Sequence, residues 1–323
     1  MQPVDSHTLW SGLRARERAA AIHLTNPRVT LIDLGWKIRG GQLTDELTVR
    51  FHVHKKPRGL AFESFAAHAP ELVLPTTTEL GFPVDYIEAS YRSQIWPGFS
   101  SEPTNRRDQA FNPLHGGISI SNEWDYRYGT LGGLVKDRST GDPMILSAWH
   151  VLAYSSYTRP GLRILQPAVG DGGLLRHTVA RFTRHAMLQG MDAAVARLEG
   201  PRARRNEAYE IGSVTGVVEP AMGMRLVKSG RASRVTHGLI SGVGGERLVW
   251  YGGLQRKIHH IVHIVQASEG GEVSRGGDSG SWWLEEEDTR QAAALHIAGE
   301  DNPEYALAIS MPRVLEALDI TIE

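Results

Sequence analysis

The residues best placed to do covalent chemistry lie in Ser274-Arg275-Gly276-Gly277-Asp278-Ser279-Gly280-Ser281. A serine stands between an acid and a glycine, with a glycine pair just ahead. Glycines let the backbone turn tightly and aim its N–H groups inward. The amides of Gly277 and Ser279 could then point at one spot beside the Ser279 hydroxyl, as a developing oxyanion requires. A plain Gly-rich hairpin with a buried serine is the structural alternative. A hydroxyl is a weak nucleophile without a base, and the base needs an acid to orient it. Upstream, the apolar stretch Leu146-Ser147-Ala148-Trp149-His150-Val151 ends at a histidine, and Met191-Asp192-Ala193-Ala194-Val195-Ala196 opens an apolar strand with an acid. The chain order is His, Asp, Ser. Asp171 is a rival acid, but it sits in a Gly-rich turn, so Asp192 is preferred.

These three stretches resemble the signatures of trypsin-like, chymotrypsin-fold serine proteases. The resemblance covers residues 115–323 and implies a mainly β, chymotrypsin-like double β-barrel. It implies Ser279 as nucleophile, His150 as base and acid, Asp192 as orienting acid, and Gly277 with Ser279 as the oxyanion hole. Gly129–Val135 resembles an early barrel strand of that family. Val227–Ser233 followed by His237-Gly238-Leu239-Ile240 resembles second-barrel strands of the Narrow Leaf-like branch known from plants and bacteria. Segments within 25–90 resemble the module that precedes the protease in those relatives.

Composition narrows the function further. The chain has 323 residues, 41% hydrophobic and 22% charged, with a formal net charge of −1. That is an ordinary globular composition with room for two domains. No global field favours nucleic acid or an anionic membrane. The chain has no cysteine, which points to a reducing compartment. No apolar run approaches the roughly 20 residues of a membrane helix, and the N-terminus lacks a continuous apolar signal core. A cytoplasmic protein without cofactor or metal is the expectation, with a protein or peptide as its partner.

In order, residues 1–24 read as a helix with a loose stripe of Leu9, Leu13 and Ile22. Docking on its own protein or a neighbouring subunit is preferred over a membrane or partner helix. Residues 25–91 form a small α+β accessory module. Val29–Ile38 and Leu47–Val53 alternate as a hairpin with a slightly long loop, Leu60–His68 suits a short helix, and a strand falls near Val84–Ile87. His52 and His54 point the same way on a strand, without a third metal ligand. Residues 92–114 lack periodicity and read as a linker or ordered wrap. From 115 on, short strands alternate with turns, including Val214–Val218, His237–Val243 and His259–Gln266, and Pro312 opens a C-terminal helix. His259, His260 and His263 read as strand residues. Of Trp282 and Trp283, one is expected to fill a barrel and the other to pack at an interface.

In trypsin-like enzymes the pocket floor lies six residues before the nucleophile, here Val273, with walls from Ile297, Ala298, Gly299 and the strand around Ala306–Ala308. None is acidic, so an apolar side chain is the expected occupant. A one-residue shift would bring Glu272 to the floor and favour a basic one, while Glu300 sits at the mouth. Asp278 matches the acid that pairs with a newly cut N-terminus in secreted relatives. With the barrels so deep in this chain, either cleavage near Arg106-Arg107 supplies that amine or Asp278 finds another donor, which is favoured. The reading is a serine endopeptidase, homo-oligomeric by the Narrow Leaf resemblance. The alternative is a catalytically silent scaffold that binds peptides by strand addition.

Overall fold

The computed structural model describes residues 4–56, 75–93, 106–153, 155, 157–251, 253–268, 271–301 and 304–323. The expected helix at Leu60–His68 lies outside them. Helix α1 (Ser6–His23) leads to strands β1 (Val29–Arg39) and β2 (Gln42–Val53), then β3 (Val84–Glu88) and the short β4 (Arg92–Ser93). Next come β5 (Leu114–Gly116), β6 (Ser119–Asn122), β7 (Gly129–Thr130), β8 (Gly133–Asp137) and β9 (Pro143–Ser147). The one-turn helix α2 (Trp149–Leu152) is followed by β10 (Arg163–Leu165), β11 (Thr178–His185) and β12 (Ala194–Leu198). A crossover carries β13 (Arg204–Ala208) and β14 (Gly212–Ser213).

The second half holds β15 (Arg225–Gly230), β16 (Arg234–Tyr251), β17 (Leu254–Gln266), β18 (Trp282–Glu285), β19 (Ala292–Asp301) and β20 (Glu304–Ser310). Helix α3 (Met311–Leu318) buries Val314, Leu315 and Leu318, and β21 (Ile320–Ile322) returns to β8. The fold is mainly β with the C-terminal helix that the sequence led us to expect. One sheet runs β21-β8-β9-β12-β11-β10-β6-β7. The other runs β15-β18-β19-β20-β17-β16-β1-β2-β3, and β15 also pairs with β16, which closes six strands into a barrel. Val273, Leu226, Ile240, Ile264 and Trp283 fill that barrel. Trp282 faces the other way and lies against Gly132 and Gly133 of the first sheet. The two tryptophans thus divide as alternation requires, one to a barrel and one between the barrels.

Three differences from the sequence reading matter for the site. Residues 234–266 form one long hairpin, and its outer half pairs Arg247 with Ile258 and Tyr251 with Leu254. Alternation is masked there because the pairing slips between Gly242 and Arg247, and His260 takes a φ of 58°. Val214–Val218 makes a single bridge, Val217 to Ala292, in place of a strand. The loop between β1 and β2 is only the pair Gly40-Gly41, not a long one.

The accessory segment is continuous with the second barrel, since β1 pairs with β16 through Ile32↔Glu246 and Gly35↔Gly242. A buried polar cluster stitches this junction. Arg50 Nε donates to Asp33 Oδ1 (2.8 Å), and a second guanidinium nitrogen bonds the other carboxylate oxygen. His52 contacts Asp33 with one ring nitrogen (3.2 Å) and the Tyr91 hydroxyl with the other (2.5 Å). His54 is instead exposed, with Nδ1 2.7 Å from the Ser90 hydroxyl. Burial opposes the Asp33 charge, but the Arg50 guanidinium and His52 hold its carboxyl far below the ordinary range. The cluster fixes Tyr91, whose carbonyl also accepts from Arg247 Nη2 (3.0 Å), and so sets the course of β4.

Helix α1 docks on its own protein. Asp5 caps it by accepting from Thr8 N (2.9 Å), and Gly12, Ala15, Ala19 and Ala20 bury their face in the cluster of Ile32, Leu34, Val49 and Phe51. The face is built from small residues, which lets the helix lie close to the sheet. Ala15→Leu should therefore overpack it and cost about 1–3 kcal/mol. The exposed control Glu17→Gln should stay within about 0.5 kcal/mol. Urea unfolding of both variants reads the difference.

Candidate active site

The register of two strands brings histidine and acid together. β12 pairs antiparallel to β9 through Ala194↔Ser147 and Val195↔Leu146. Asp192, two residues before Ala194, therefore falls beside the chain just after Ser147. There Ala148 turns into α2 and presents His150. The Asp192 carboxylate holds that histidine twice: Oδ1 accepts from the His150 backbone N–H (3.1 Å), and Oδ2 bonds imidazole Nδ1. The second contact leaves Nε2 as the ring nitrogen facing away from the acid. Both side chains are fully buried.

Asp171, the rival acid, is engaged elsewhere. It forms a two-point ion pair with Arg231, whose Nε lies 2.9 Å from Oδ2, and it accepts from the Ser119 hydroxyl. Arg231 in turn lies over the Tyr128 ring, 3.9 Å from its centroid. This group locks the first sheet to the turn after β15.

Ser279 comes to the neighbourhood of α2 from the second barrel: a Cβ on Gly129 of β7 would meet both the Val151 side chain (2.5 Å) and Ser279 O (3.1 Å). Thr130 of β7 donates its N–H to Ser279 O (2.8 Å) and its hydroxyl to Gly277 O (2.8 Å). Gly280 N–H donates to His296 O (2.9 Å). The turn needs its glycines. Gly277 has a φ of 106° and Gly280 a φ of 95°, and a Cβ on Gly280 would lie 2.0 Å from the Ser147 hydroxyl and 2.4 Å from Thr130 O. Among the described residues, neither the Gly277 nor the Ser279 amide donates a hydrogen bond, whereas the flanking Asp278 and Gly280 amides do. The Ser279 hydroxyl points to Ile297 O (3.4 Å), and His150 Nε2 has no hydrogen-bond partner among the described residues.

Asp278 has the donor that the sequence leaves unnamed. Lys228 Nζ lies 2.8 Å from Asp278 Oδ2, with both side chains fully buried. The amides of Ala232 and Ser233 donate to Oδ1 (3.0 Å each), and Arg275 N–H and the Ser233 hydroxyl donate to Oδ2. Burial works against the Asp278 charge, but Lys228 and then Ser233 outweigh it and hold the carboxyl far below its ordinary range. Arg107 is itself buried and donates to Ser229 Oγ (2.8 Å), Gly230 O (2.7 Å) and Glu210 Oε2 (2.7 Å). A cut beside it would have to break into this packing.

The residues assigned to the substrate pocket are all buried. Val273 is packed into the second-barrel core, and its carbonyl accepts from the Thr236 hydroxyl (2.8 Å). Glu272 points outward to Arg275, with Oε1 2.6 Å from Nε, and so does not reach the floor. The Glu300 carboxylate accepts from Ser90 N–H (2.7 Å). One acid close to Val273 was not expected: Glu304 Oε1 accepts from the amides of Val273 (2.8 Å) and Ser274 (3.1 Å). Its place at the start of β20, across the barrel from the turn, gives no local sequence signal.

Two further neighbours were missed. Tyr251 donates its hydroxyl to Asp192 Oδ2 (2.7 Å), and its ring stacks on His150 with centroids 5.6 Å apart. Ser93 of β4 donates to the Tyr251 hydroxyl (3.0 Å), and β4 itself pairs with β19 through Ser93↔Ala298 and Arg92↔Gly299. The run Trp250-Tyr251-Gly252-Gly253-Leu254 has the glycine pair of a hairpin tip and could have placed Tyr251 at a strand end.

No family model matches the chain, and no curated protein is similar to it in sequence. Solved protease structures are similar in fold. Nocardiopsis protease is 17% identical with a TM-score of 0.49, over 65% of this chain and 100% of that one. Thermobifida fusca Protease A is 18% identical with a TM-score of 0.47, over 65% and 98%. Cellulomonas bogoriensis chymotrypsin is 17% identical with a TM-score of 0.47, over 65% and 98%. At these identities the likeness concerns the fold alone, and the chemistry has to be argued from this chain's own residues.

The Lys228–Asp278 pair makes a stability prediction. Lys228→Met strands a buried carboxylate and should cost about 3–5 kcal/mol in urea unfolding. Adding Asp278→Asn should recover part of that loss. Because the folded-state pKa of Asp278 is depressed, its stabilisation is present above the ordinary value of about 3.9 and is lost as pH falls below it. Asp278→Asn should therefore flatten the acid limb of stability against pH.

Proposed function

We propose that the protein is a serine endopeptidase in which Ser279, His150 and Asp192 act as a triad. The observation that carries this reading is the two-point grip of Asp192 on His150 beside a glycine-shaped turn that bears Ser279. In the proposed reaction, Ser279 Oγ bonds to the scissile carbonyl carbon as its proton passes to His150 Nε2. The carbonyl oxygen takes the negative charge and receives the Gly277 and Ser279 amides. The C–N bond then breaks, with the His150 proton going to the departing amine. Water deacylates the enzyme with His150 again as base. Asp192 holds the Nδ1–H tautomer throughout.

The same proposal includes a cytoplasmic location, supported by the absence of cysteine. Membership of the Narrow Leaf-like branch and assembly of several copies rest on the sequence resemblance. The small-residue face of helix α1 packs on its own sheet, so an assembly contact through this helix would use its other face. The Lys228–Asp278 pair supports a turn shaped without a newly cut N-terminus. The silent-scaffold reading has one observation in its favour, the Ser279 hydroxyl turned to Ile297 O with His150 Nε2 without a hydrogen-bond partner among the described residues. Apo sites often hold such bonds long or open.

A fluorophosphonate probe separates the two readings. Wild type should label at Ser279, and Ser279→Ala and His150→Ala should each lose peptide hydrolysis by on the order of 10⁴-fold or more. The double variant should be little worse than either. An unlabelled wild type would leave the scaffold reading standing. Specificity has its own test. With Glu272 turned outward and Val273 packed among Leu226, Ile240, Ile264 and Trp283, burial of a cation among those apolar side chains is costly. A peptide-library digest should show cuts after apolar residues. Cuts after Arg or Lys that disappear in Glu304→Gln would reverse that assignment.

A further inference from the structure

The contact that sets this site apart is the one from Tyr251 to Asp192. Asp192 Oδ2 receives two donors, His150 Nδ1 and the Tyr251 hydroxyl, while Oδ1 receives the His150 amide. Tyr251 is held at the tip of the 234–266 hairpin, its ring stacked on His150 (5.6 Å between centroids) and tilted by 53° against Trp149 (5.7 Å). Its oxygen is also an acceptor, for the Ser93 hydroxyl at 3.0 Å. A directed chain thus runs Ser93 to Tyr251 to Asp192, starting from β4 at the end of the N-terminal segment.

We infer that Tyr251 is the positioning residue for Asp192, and that Ser93 of the N-terminal segment sets the direction of its hydroxyl. This rests on the proposed triad. A carboxylate with unused lone pairs can rotate and let the imidazole choose either nitrogen to protonate. The tyrosine O–H occupies the lone pairs that the histidine leaves open and fixes the carboxylate plane. Burial first, and then the Asp192 charge, push the Tyr251 phenol well above its ordinary value, so it remains a donor over the working pH range. The other ionisable groups around the pair are Arg247, which bears on both Tyr251 and Asp192, and His296, which bears on His150. Burial and then Lys228 pull His296 down to about 3, so it does not titrate near neutrality.

Tyr251→Phe keeps the ring stack and removes only the donor. The rate of fluorophosphonate labelling should fall roughly 10- to 100-fold, the scale of a lost hydrogen bond to a charge. Asp192 then carries more unshared charge toward the imidazolium, so the acid limb of the labelling profile should move to higher pH. Ser93→Ala should shift the limb in the same direction by less. A merely structural tyrosine would leave the limb where it is. The downfield proton resonance of His150 Nδ1 reads the same geometry without turnover, and it should move in Tyr251→Phe and, less, in Ser93→Ala. Unchanged labelling, limb and resonance in Tyr251→Phe would overturn the inference. If that variant does not fold, an unshifted resonance and limb in Ser93→Ala would do the same. If wild type does not label, the triad reading fails, and the resonance alone decides whether Tyr251 orders Asp192.

Discussion

The buried carboxylate of Asp278 is the constraint on which the candidate active-site region depends. It collects the Lys228 ammonium, the Ser233 hydroxyl and the amides of Ala232, Ser233 and Arg275. Taking a charge out of water is tolerable only when such partners surround it. The result is that three separate pieces converge on one atom group: strand β15, the turn that follows it, and the turn that carries Ser279. The turn after β15 also contains Arg231, which binds Asp171 in the loop between β10 and β11 of the first sheet. The position of Ser279 is thus tied to both halves of the molecule through two buried ion pairs, in addition to the backbone bonds from Thr130 N–H to Ser279 O and from Gly280 N–H to His296 O.

The same logic extends to the N-terminal segment. Its hairpin adds to β16 as sheet, and its charged side chains close the joint as a satisfied cluster around Asp33, Arg50 and His52. Such clusters are costly when half-made and rigid when complete. This one fixes Tyr91, and two residues later the chain reaches Ser93 and the Tyr251 hydroxyl. A segment that the sequence pattern sets apart as an accessory module is thereby wired to Tyr251 and Asp192.

Much of this is legible in the sequence where chemistry is local. A glycine-flanked serine, a histidine that ends an apolar strand and an acid that opens another are read directly, and the β9–β12 register then brings His150 and Asp192 into contact. The mainly β fold and the final helix follow from short alternating runs and Pro312. What is illegible depends on contacts between distant loops. Lys228 looks like any polar residue in Val227-Lys228-Ser229, and only the closed barrel reveals that it is buried against an acid 50 positions away. Tyr251 is hidden because slipped pairing near Gly242 to Arg247 breaks the alternation that would have extended β16 to its tip. The helix α1 shows little stripe because its contact face is alanine and glycine, which leave a weak hydrophobic signature however closely they pack.

The pairing of β4 with β19 has a consequence for ligands. Arg92–Ser93 already holds the backbone of Ala298 and Gly299, the edge that runs on from Ile297 beside the serine. A peptide that binds by adding a strand needs those same groups. It therefore meets a tethered rival, present at the effective concentration that chain connectivity sets rather than at any bulk value. A strand that displaced β4 from that edge would also take Ser93 from Tyr251, and so loosen the hydroxyl that faces Asp192. Occupancy and order in this molecule are drawn from the same two residues, and a gain in one is taken from the other.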